Sequence, residues 1–343
     1  MKWCDSWKRI VLVPMDRVGD AISDTPALSF LRSRGIEVIV LATTYTAQIF
    51  ENNPNVYKCL TFSRIRRDGI VASAVKSHSV VKELQSYDPH AVIGMMRQIR
   101  ELRQIFTKLS IPVVNKPQDN SLPIYLRWVE FFKKLGLDVR PARNEIYPSD
   151  QDREAVISWA QDNGIDLTKP FIVVHPGCAV YKDEKCITNS LRCWPLDNYQ
   201  KIFSNLPKDV QIVLTGIHPS EREANSYIRK QSPLVSALFD VPNLRALAWL
   251  IERSRLLITL DTGTLHIGAA TDTPIIALFG PSDPAKYGPW GKNITYVRTD
   301  ECLNCWPCDQ KAICGGQNTC MKSLLPEKVS SKIREIFHEP HSV

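Results

Sequence analysis

Apolar runs of strand length alternate along the chain with stretches of helical periodicity, the rhythm of βαβ units around parallel sheets. Residues 9–15 read as a first strand and 21–34 as a helix, with Ala27, Leu28 and Leu31 on one face. Gly35, tolerant of positive φ, closes that helix. Strands follow at 37–42 and 91–95, and the spacing of Leu122, Tyr125, Leu126, Val129, Phe132 and Leu135 predicts a helix over 121–137. The stretch 140–150 is polar and carries Pro141 and Pro148, so it reads as a linker. Beyond it the rhythm restarts. A helix at 151–163 precedes strands at 171–174, 211–215, 256–260 and 274–279. Between and after them the pattern predicts helices at 196–205, 220–231, 244–254, just past Gly263, and 327–337. The expected class is α/β, with two Rossmann-like doubly wound domains.

Length and composition agree with two cores: 343 residues, 44% of them apolar, are long for one domain and too apolar for global disorder. Lys and Arg exceed Asp and Glu by 43 − 36 = 7, which suits an anionic ligand. The excess is scattered, however, and no block resembles a nucleic-acid-binding arm. The early apolar run from Ile10 to Met15 is too short for a signal peptide, and nothing approaches the roughly 20 apolar residues of a spanning helix. The expected location is the cytoplasm, with any contact to the inner membrane peripheral.

Three motifs sit where chemistry is expected. In a parallel sheet, ligands bind beyond the carboxyl ends of the strands. The turn Asp16-Arg17-Val18-Gly19-Asp20 follows the first strand, and Gly19 permits a close approach to the main chain. Asp20 at a helix start also has a plain reading as an N-cap. No G-x-G-x-x-G fingerprint is present here, so a nicotinamide cofactor is not indicated. Asp261-Thr262-Gly263-Thr264-Leu265-His266 follows strand 256–260. Small residues at a helix start leave N–H groups for a phosphate, His266 adds a donor, and the acceptor-only Asp261 suits sugar hydroxyls. A capped helix with a satisfied histidine is the competing reading. Phe279-Gly280-Pro281-Ser282-Asp283-Pro284 and His175-Pro176-Gly177 are rigid turns at two further strand ends.

The order of these parts resembles glycosyltransferase family 9, the heptosyltransferases. The likeness rests on Asp16–Asp20 with Thr25-Pro26-Ala27-Leu28, on His175-Pro176-Gly177 and Trp194-Pro195, and on Asp261 to His266 followed by Thr273-Pro274 and Phe279 to Pro284. The resemblance implies a GT-B fold, two Rossmann-like domains facing a central cleft. Residues 1–148 would bind the acceptor and 149–325 the nucleotide sugar, with a C-terminal helix at 326–343 able to pack back on the first domain. It also implies an inverting, metal-independent transfer from a nucleotide-diphosphate-sugar donor to a glycolipid or glycan acceptor. In the best-known members these are ADP-heptose and the inner core of lipopolysaccharide. Carried over by position, Asp20 is the general base. Asp261 contacts donor-sugar hydroxyls, and Thr262, Gly263, Thr264 and His266 cradle the diphosphate. His175 and Gly177 line the donor site. By a looser alignment across 179–190, Arg192 is the basic residue for the phosphates. Basic stretches at 64–69 and 97–103 would suit a phosphorylated acceptor or form exposed cationic faces.

Five of the ten cysteines lie between Cys302 and Cys320. The set Cys305, Cys308, Cys314 and Cys320, with Cys302 as a further candidate, has spacing able to wrap a tetrahedral thiolate site for structural zinc or iron. A compact loop of free thiols has the same spacing. No cofactor is expected for catalysis. Two other functions stay open on residues alone: a sugar-nucleotide epimerase of the same fold, and a non-catalytic sugar-nucleotide-binding protein, the latter disfavoured by the presence of Asp20.

Overall fold

The computed structural model describes residues 3–62, 70–94, 100–116, 119, 121–177, 190–216, 218–309, 311 and 314–338. The basic stretch 64–69, residues 97–99 of the second basic stretch, and 178–189 before Arg192 lie outside the described residues. The chain divides into two compact units, Met1–Tyr147 and Pro148–Val343.

The first unit is built on five parallel strands, β1 (Arg9–Val13), β2 (Glu37–Thr43), β3 (Lys58–Phe62), β4 (Ala91–Gly94) and β5 (Val113–Asn115), in the order β3-β2-β1-β4-β5. Strands β1, β2 and β4 are almost wholly buried, as continuous apolar runs inside a parallel sheet must be. Val11, Val13, Ile39, Leu41 and Val92 meet Leu84, Leu102 and Ile105 from the helices Ile70–Ser86 and Arg100–Leu109. The chain winds outward from β1 to β3 on one side and from β4 to β5 on the other. The order therefore reverses between β1 and β4, the kind of place where open α/β sheets bind ligands.

One expected helix is broken in two. Instead of running over 21–34, the backbone forms helices Val18–Ile22 and Pro26–Ser33. Pro26 has no N–H to offer the Ile22 carbonyl, which instead accepts from Thr25 N (3.1 Å) and Thr25 Oγ1 (2.7 Å). The expected helix over 121–137 is also shorter, a 3₁₀ turn at Ile124–Leu126 followed by the helix Arg127–Lys134.

The second unit has six parallel strands, β6 (Phe171–His175), β7 (Gln211–Gly216), β8 (Val235–Asp240), β9 (Leu256–Leu260), β10 (Ile275–Leu278) and β11 (Ile294–Val297). Their order is β11-β10-β9-β6-β7-β8, so this sheet reverses between β6 and β9. Register places His175 beside Thr259, and Leu260 beside Leu278. The loops leaving β6, β9 and β10 thus emerge side by side. The C-terminal helix Pro326–His338 packs within this unit, with Val329 and Ile333 in a core that includes Trp194, Tyr199 and Ile202.

At the start of the second unit, helix Asp150–Asp162 is closed by a capping box in which Ser149 Oγ accepts from Asp152 N (3.2 Å) and Asp152 accepts from Ser149 N (2.8 Å). Arg245 Nε (2.8 Å) and Asn243 Nδ2 (2.7 Å) also donate to Asp152. Burial alone would raise this carboxyl, but the donors from Arg245, Ser149 and Asn243 outweigh it and hold it at about 2. A carboxyl depressed in the folded state stabilises fully above its ordinary value of 3.8 and loses that contribution as pH falls toward 2. Asp152→Asn is therefore expected to cost about 2 kcal/mol at pH 7 and much less at pH 2, read by denaturant melts at both. An equal cost at the two pH values would refute the assignment. Among the described residues, no helix is long and apolar enough to cross a membrane.

Candidate functional site

In the first unit, β1 runs out at Val13 and the chain turns through Pro14 to Arg17 into helix Val18–Ile22. Arg17, in extended backbone, occupies the N-cap position, so Asp20 does not cap this helix. It sits inside the first turn, half-buried. Burial pushes its carboxyl upward and the nearby charge of Asp24 adds to that, while Arg17, Arg127 and Lys116 act in the opposite sense. A carboxylate with increased proton affinity, at the sheet's reversal point, is chemically suited to accept a proton from a bound hydroxyl.

Beneath Asp20 lies a network that sequence spacing could not reveal. Asp24, 3% exposed, accepts from Lys116 Nζ (2.7 Å) and from Trp128 Nε1 on Oδ1, and from Met15 N (3.1 Å) on Oδ2. The Lys116 ammonium also lies 4.0 Å from the Trp128 ring centroid. Burial pulls the Lys116 ammonium toward neutrality, and Asp24 opposes this. Buried Arg127 donates through Nε to Leu122 O (3.4 Å) and leaves Nη2 without a hydrogen-bond partner.

The second cluster occupies the ends of β6, β9 and β10. Asp261 leaves β9 buried, and its Oδ2 accepts from Ser282 Oγ (2.6 Å). Arg192 Nη1 donates to Asp261 O (2.6 Å) and stands 3.9 Å from Asp261 Oδ2, while Arg192 Nε is buried without a partner. Thr262 is the N-cap of helix Gly263–Gly268, but its side chain makes no capping bond. The first-turn N–H groups are therefore left to another acceptor. Thr262 and Gly263 are half-buried, whereas Thr264 and His266 are buried. Asp261 is thus engaged by Ser282 and Arg192 and is not the cap of the helix. A carboxylate, a guanidinium and uncapped amides at one strand end can hold hydroxyls and an anion together.

The strand end at His175 is organised differently. His175 Nδ1 donates to Thr215 O (3.0 Å), and Nε2 faces Glu221 Oε1 at 3.6 Å. Both ring nitrogens thus face protein groups, and Pro176-Gly177 continues from the strand as a turn, Gly177 being buried. Glu221 closes the capping box of helix Pro219–Gln231 by accepting from His218 N (3.0 Å).

Among the described residues, no three His, Cys, Asp or Glu side chains form a group that could hold a metal ion. The expected thiolate set Cys305, Cys308, Cys314 and Cys320 is therefore not assembled there, although none of the four is in a disulfide. The segment also clamps the loop after β10. Trp306 Nε1 donates to Gly280 O (2.9 Å), while Cys308 N (3.1 Å) and Asp309 N (3.0 Å) donate to Pro281 O. Any Cβ on Gly280 would stand 2.6 Å from Met321 Sδ and 3.2 Å from Cys320 Sγ. Burial and the neighbouring Cys308 push the Cys320 thiol up to about 11. The clamped loop is the one that presents Ser282 to Asp261. Asp24, Lys116, Arg127 and Trp128 were not singled out by spacing, and Ser282 was marked only as part of the turn Phe279 to Pro284, without a role.

Comparison with known proteins gives the family and the fold. The family model of glycosyltransferase family 9 (heptosyltransferase) matches residues 88–313. A lipooligosaccharide heptosyltransferase 2 of Campylobacter jejuni is 28% identical over 184 residues, which are 50% of this chain and 58% of that protein. The chain spans about half the length of the curated relatives it first matches. A family 9 glycosyltransferase from Veillonella parvula superposes with a TM-score of 0.83 at 20% identity, covering 99% of both chains. The ADP-heptose lipopolysaccharide heptosyltransferase II of E. coli gives 0.73 at 15% identity, covering 96% of this chain and 98% of that one. These likenesses establish the GT-B fold.

Proposed function

Because the chain belongs to glycosyltransferase family 9, the heptosyltransferase family, we propose that it transfers heptose from ADP-heptose to a lipopolysaccharide-core or related glycolipid acceptor, inverting the anomeric carbon without a catalytic metal. The observation that carries this reading is the cluster at the β6/β9 reversal, where Asp261, Arg192 and the uncapped start of helix Gly263–Gly268 meet. Family membership favours transfer over the epimerase alternative.

In this mechanism the donor diphosphate takes its hydrogen bonds from the amides at Thr262–Thr264, with Arg192 and His266 as further donors. Such preorganised donors offset the charge that grows on a departing ADP, each contributing a few kcal/mol. Asp261 accepts from hydroxyls of the donor sugar, and Ser282 fixes which carboxylate oxygen is turned to it. Asp20 removes the proton of the acceptor hydroxyl as that oxygen bonds to the anomeric carbon and the bond to ADP breaks. The electron pair leaves with the diphosphate, so no separate acid is required.

A thermal-shift screen with ADP-, UDP-, GDP- and CMP-linked sugars tests the proposal. Stabilisation by ADP-heptose, followed by transfer to a core-oligosaccharide acceptor, is the expected result. Absence of both sinks it. Ser282→Ala is expected to weaken ADP-heptose binding about tenfold or more in calorimetry, the cost of one hydrogen bond to a charged group. Unchanged affinity would separate Ser282 from the donor.

A further inference from the structure

The candidate base stands on a charged foundation that the transfer reaction does not itself call for. Asp24 and Lys116 are an ion pair with side chains 4% and 5% exposed. Such a pair is weak evidence for stability, because apolar residues of similar volume often serve as well or better. Its three hydrogen bonds come from three separate places in the first unit. Met15 N belongs to the turn that leads to Asp20, Lys116 directly follows the edge strand β5, and Trp128 lies on helix Arg127–Lys134. Lys116 is in turn anchored by its own N–H to Gly94 O (2.9 Å), at the end of the strand paired with β1. The bonds from Lys116 and Trp128 tie the Asp20-bearing segment to the end of the β4 side of the sheet and to helix Arg127–Lys134, while the bond from Met15 N closes the segment on itself.

We propose that Asp24, held in place by Lys116 and Trp128, is the positioning residue for Asp20: it fixes the turn that carries Asp20 and sets the charge that Asp20 feels. The inference rests on the reading of Asp20 as the base. A carboxylate four residues along the chain opposes ionisation of Asp20, and its buried location keeps solvent from screening it. The cations that face Asp20 from the surrounding elements are Arg17 on its own turn, Arg127 on helix Arg127–Lys134 and Lys116 after β5. They act against Asp24 and, with burial, leave Asp20 with a proton affinity above that of an ordinary aspartate. The Asp24–Lys116 pair is therefore a local adjustment of the base that costs the enzyme no exposed group.

The test is a ¹³C carboxyl NMR titration of Asp20 in the full chain, alongside pH–rate profiles, for wild type, Asp24→Asn, and the neutral pair Asp24→Asn/Lys116→Gln. Asp24→Asn removes the negative charge that opposes ionisation of Asp20, so Asp20 titrates at lower pH than in wild type. The neutral pair removes both charges and restores an uncharged hydrogen bond, so Asp20 again titrates below wild type. In Asp24→Asn kcat falls roughly tenfold, a part of what a general base supplies, while KM for the donor stays put. Should Asp24→Asn fail to fold, the neutral pair carries the test. A purely architectural role for the pair changes Tm and leaves the Asp20 midpoint alone. An unmoved midpoint in the folded variants overturns the inference. A midpoint that moves without the rate limb following leaves it standing and overturns the base reading.

Discussion

Replacing Asp20 with asparagine is expected to lower kcat roughly 10²–10⁴-fold, the range a positioned general base contributes, and to leave donor affinity unchanged. Asparagine keeps the shape and a hydrogen-bond acceptor but cannot take up a proton. The proposed donor groups Asp261, Arg192 and Thr262–Thr264 all belong to the second unit, so on that proposal the Kd for ADP-heptose measured by calorimetry should not move. The pH profile carries a second signature. Burial and Asp24 raise the Asp20 carboxyl above its ordinary value of 3.8, so the acidic limb of kcat/KM should lie above that of an exposed aspartate. Linkage fixes the sign for stability as well. A carboxyl raised in the folded state binds its proton more tightly there than in the unfolded chain, so its contribution to stability falls as pH rises through that range. At neutral pH, Asp20→Asn should therefore melt no lower than wild type, a gain in stability bought by loss of function. Residual turnover within about tenfold of wild type would end the base assignment.

Trp194→Ala is expected to destabilise the second unit by about 3–5 kcal/mol, the cost of deleting a large aromatic side chain from a packed core. Trp194 is 1% exposed, meets Tyr199 edge-on at 5.1 Å, and donates from Nε1 to Leu324 O (2.9 Å) just ahead of the C-terminal helix. Asn318 Nδ2 fastens the preceding residue by donating to Cys193 O (2.8 Å). Arg192 stands immediately before this anchored pair, so donor affinity should weaken along with Tm, which should fall by roughly 10 °C. Trp290, 45% exposed, serves as the comparison, and its replacement by alanine should cost less than about 1 kcal/mol. Equal losses at the two tryptophans in calorimetric melts would contradict the packing account. The Trp194-Pro195 motif thus acts as a strut for Arg192 and for the C-terminal segment.

The same distinction between a residue and its neighbours separates what could be read along the chain from what could not. Strands β1, β2, β4, β6, β7, β9 and β10 all lie inside their sheets, with neighbours on both sides. Burial on both faces writes them as unbroken apolar runs, such as Ile-Val-Leu-Val in β1 and Ile-Ile-Ala-Leu in β10, so hydropathy alone locates them. The strands that hydropathy did not announce, β3, β5, β8 and β11, are the four sheet edges. Each keeps partly exposed positions, as Lys58, Asn115, Asp240 and Tyr296 illustrate, and only pairing to an inner neighbour makes it a strand.

The candidate site divides along the same line. Parallel topology puts functional loops at strand ends, so Asp20 after β1 and Asp261 after β9 were legible from order and composition. The turn chemistry at Pro26 also lay in the sequence, yet the helix around it was expected to run unbroken, because periodicity reports which face is buried and not where a hydrogen bond fails. Partners distant along the chain left no such trace. Ser282 reaches Asp261 because β9 and β10 are neighbours, while Lys116 and Trp128 reach Asp24 from 92 and 104 residues away. The cysteine spacing likewise said nothing of the hydrogen bonds by which Trp306, Cys308 and Asp309 hold Gly280 and Pro281. Local pattern determines which segments must be buried and which turns they leave. The choice of neighbour belongs to the folded chain, since it depends on how sheets order their strands, and that energy is shared among residues no window along the sequence contains.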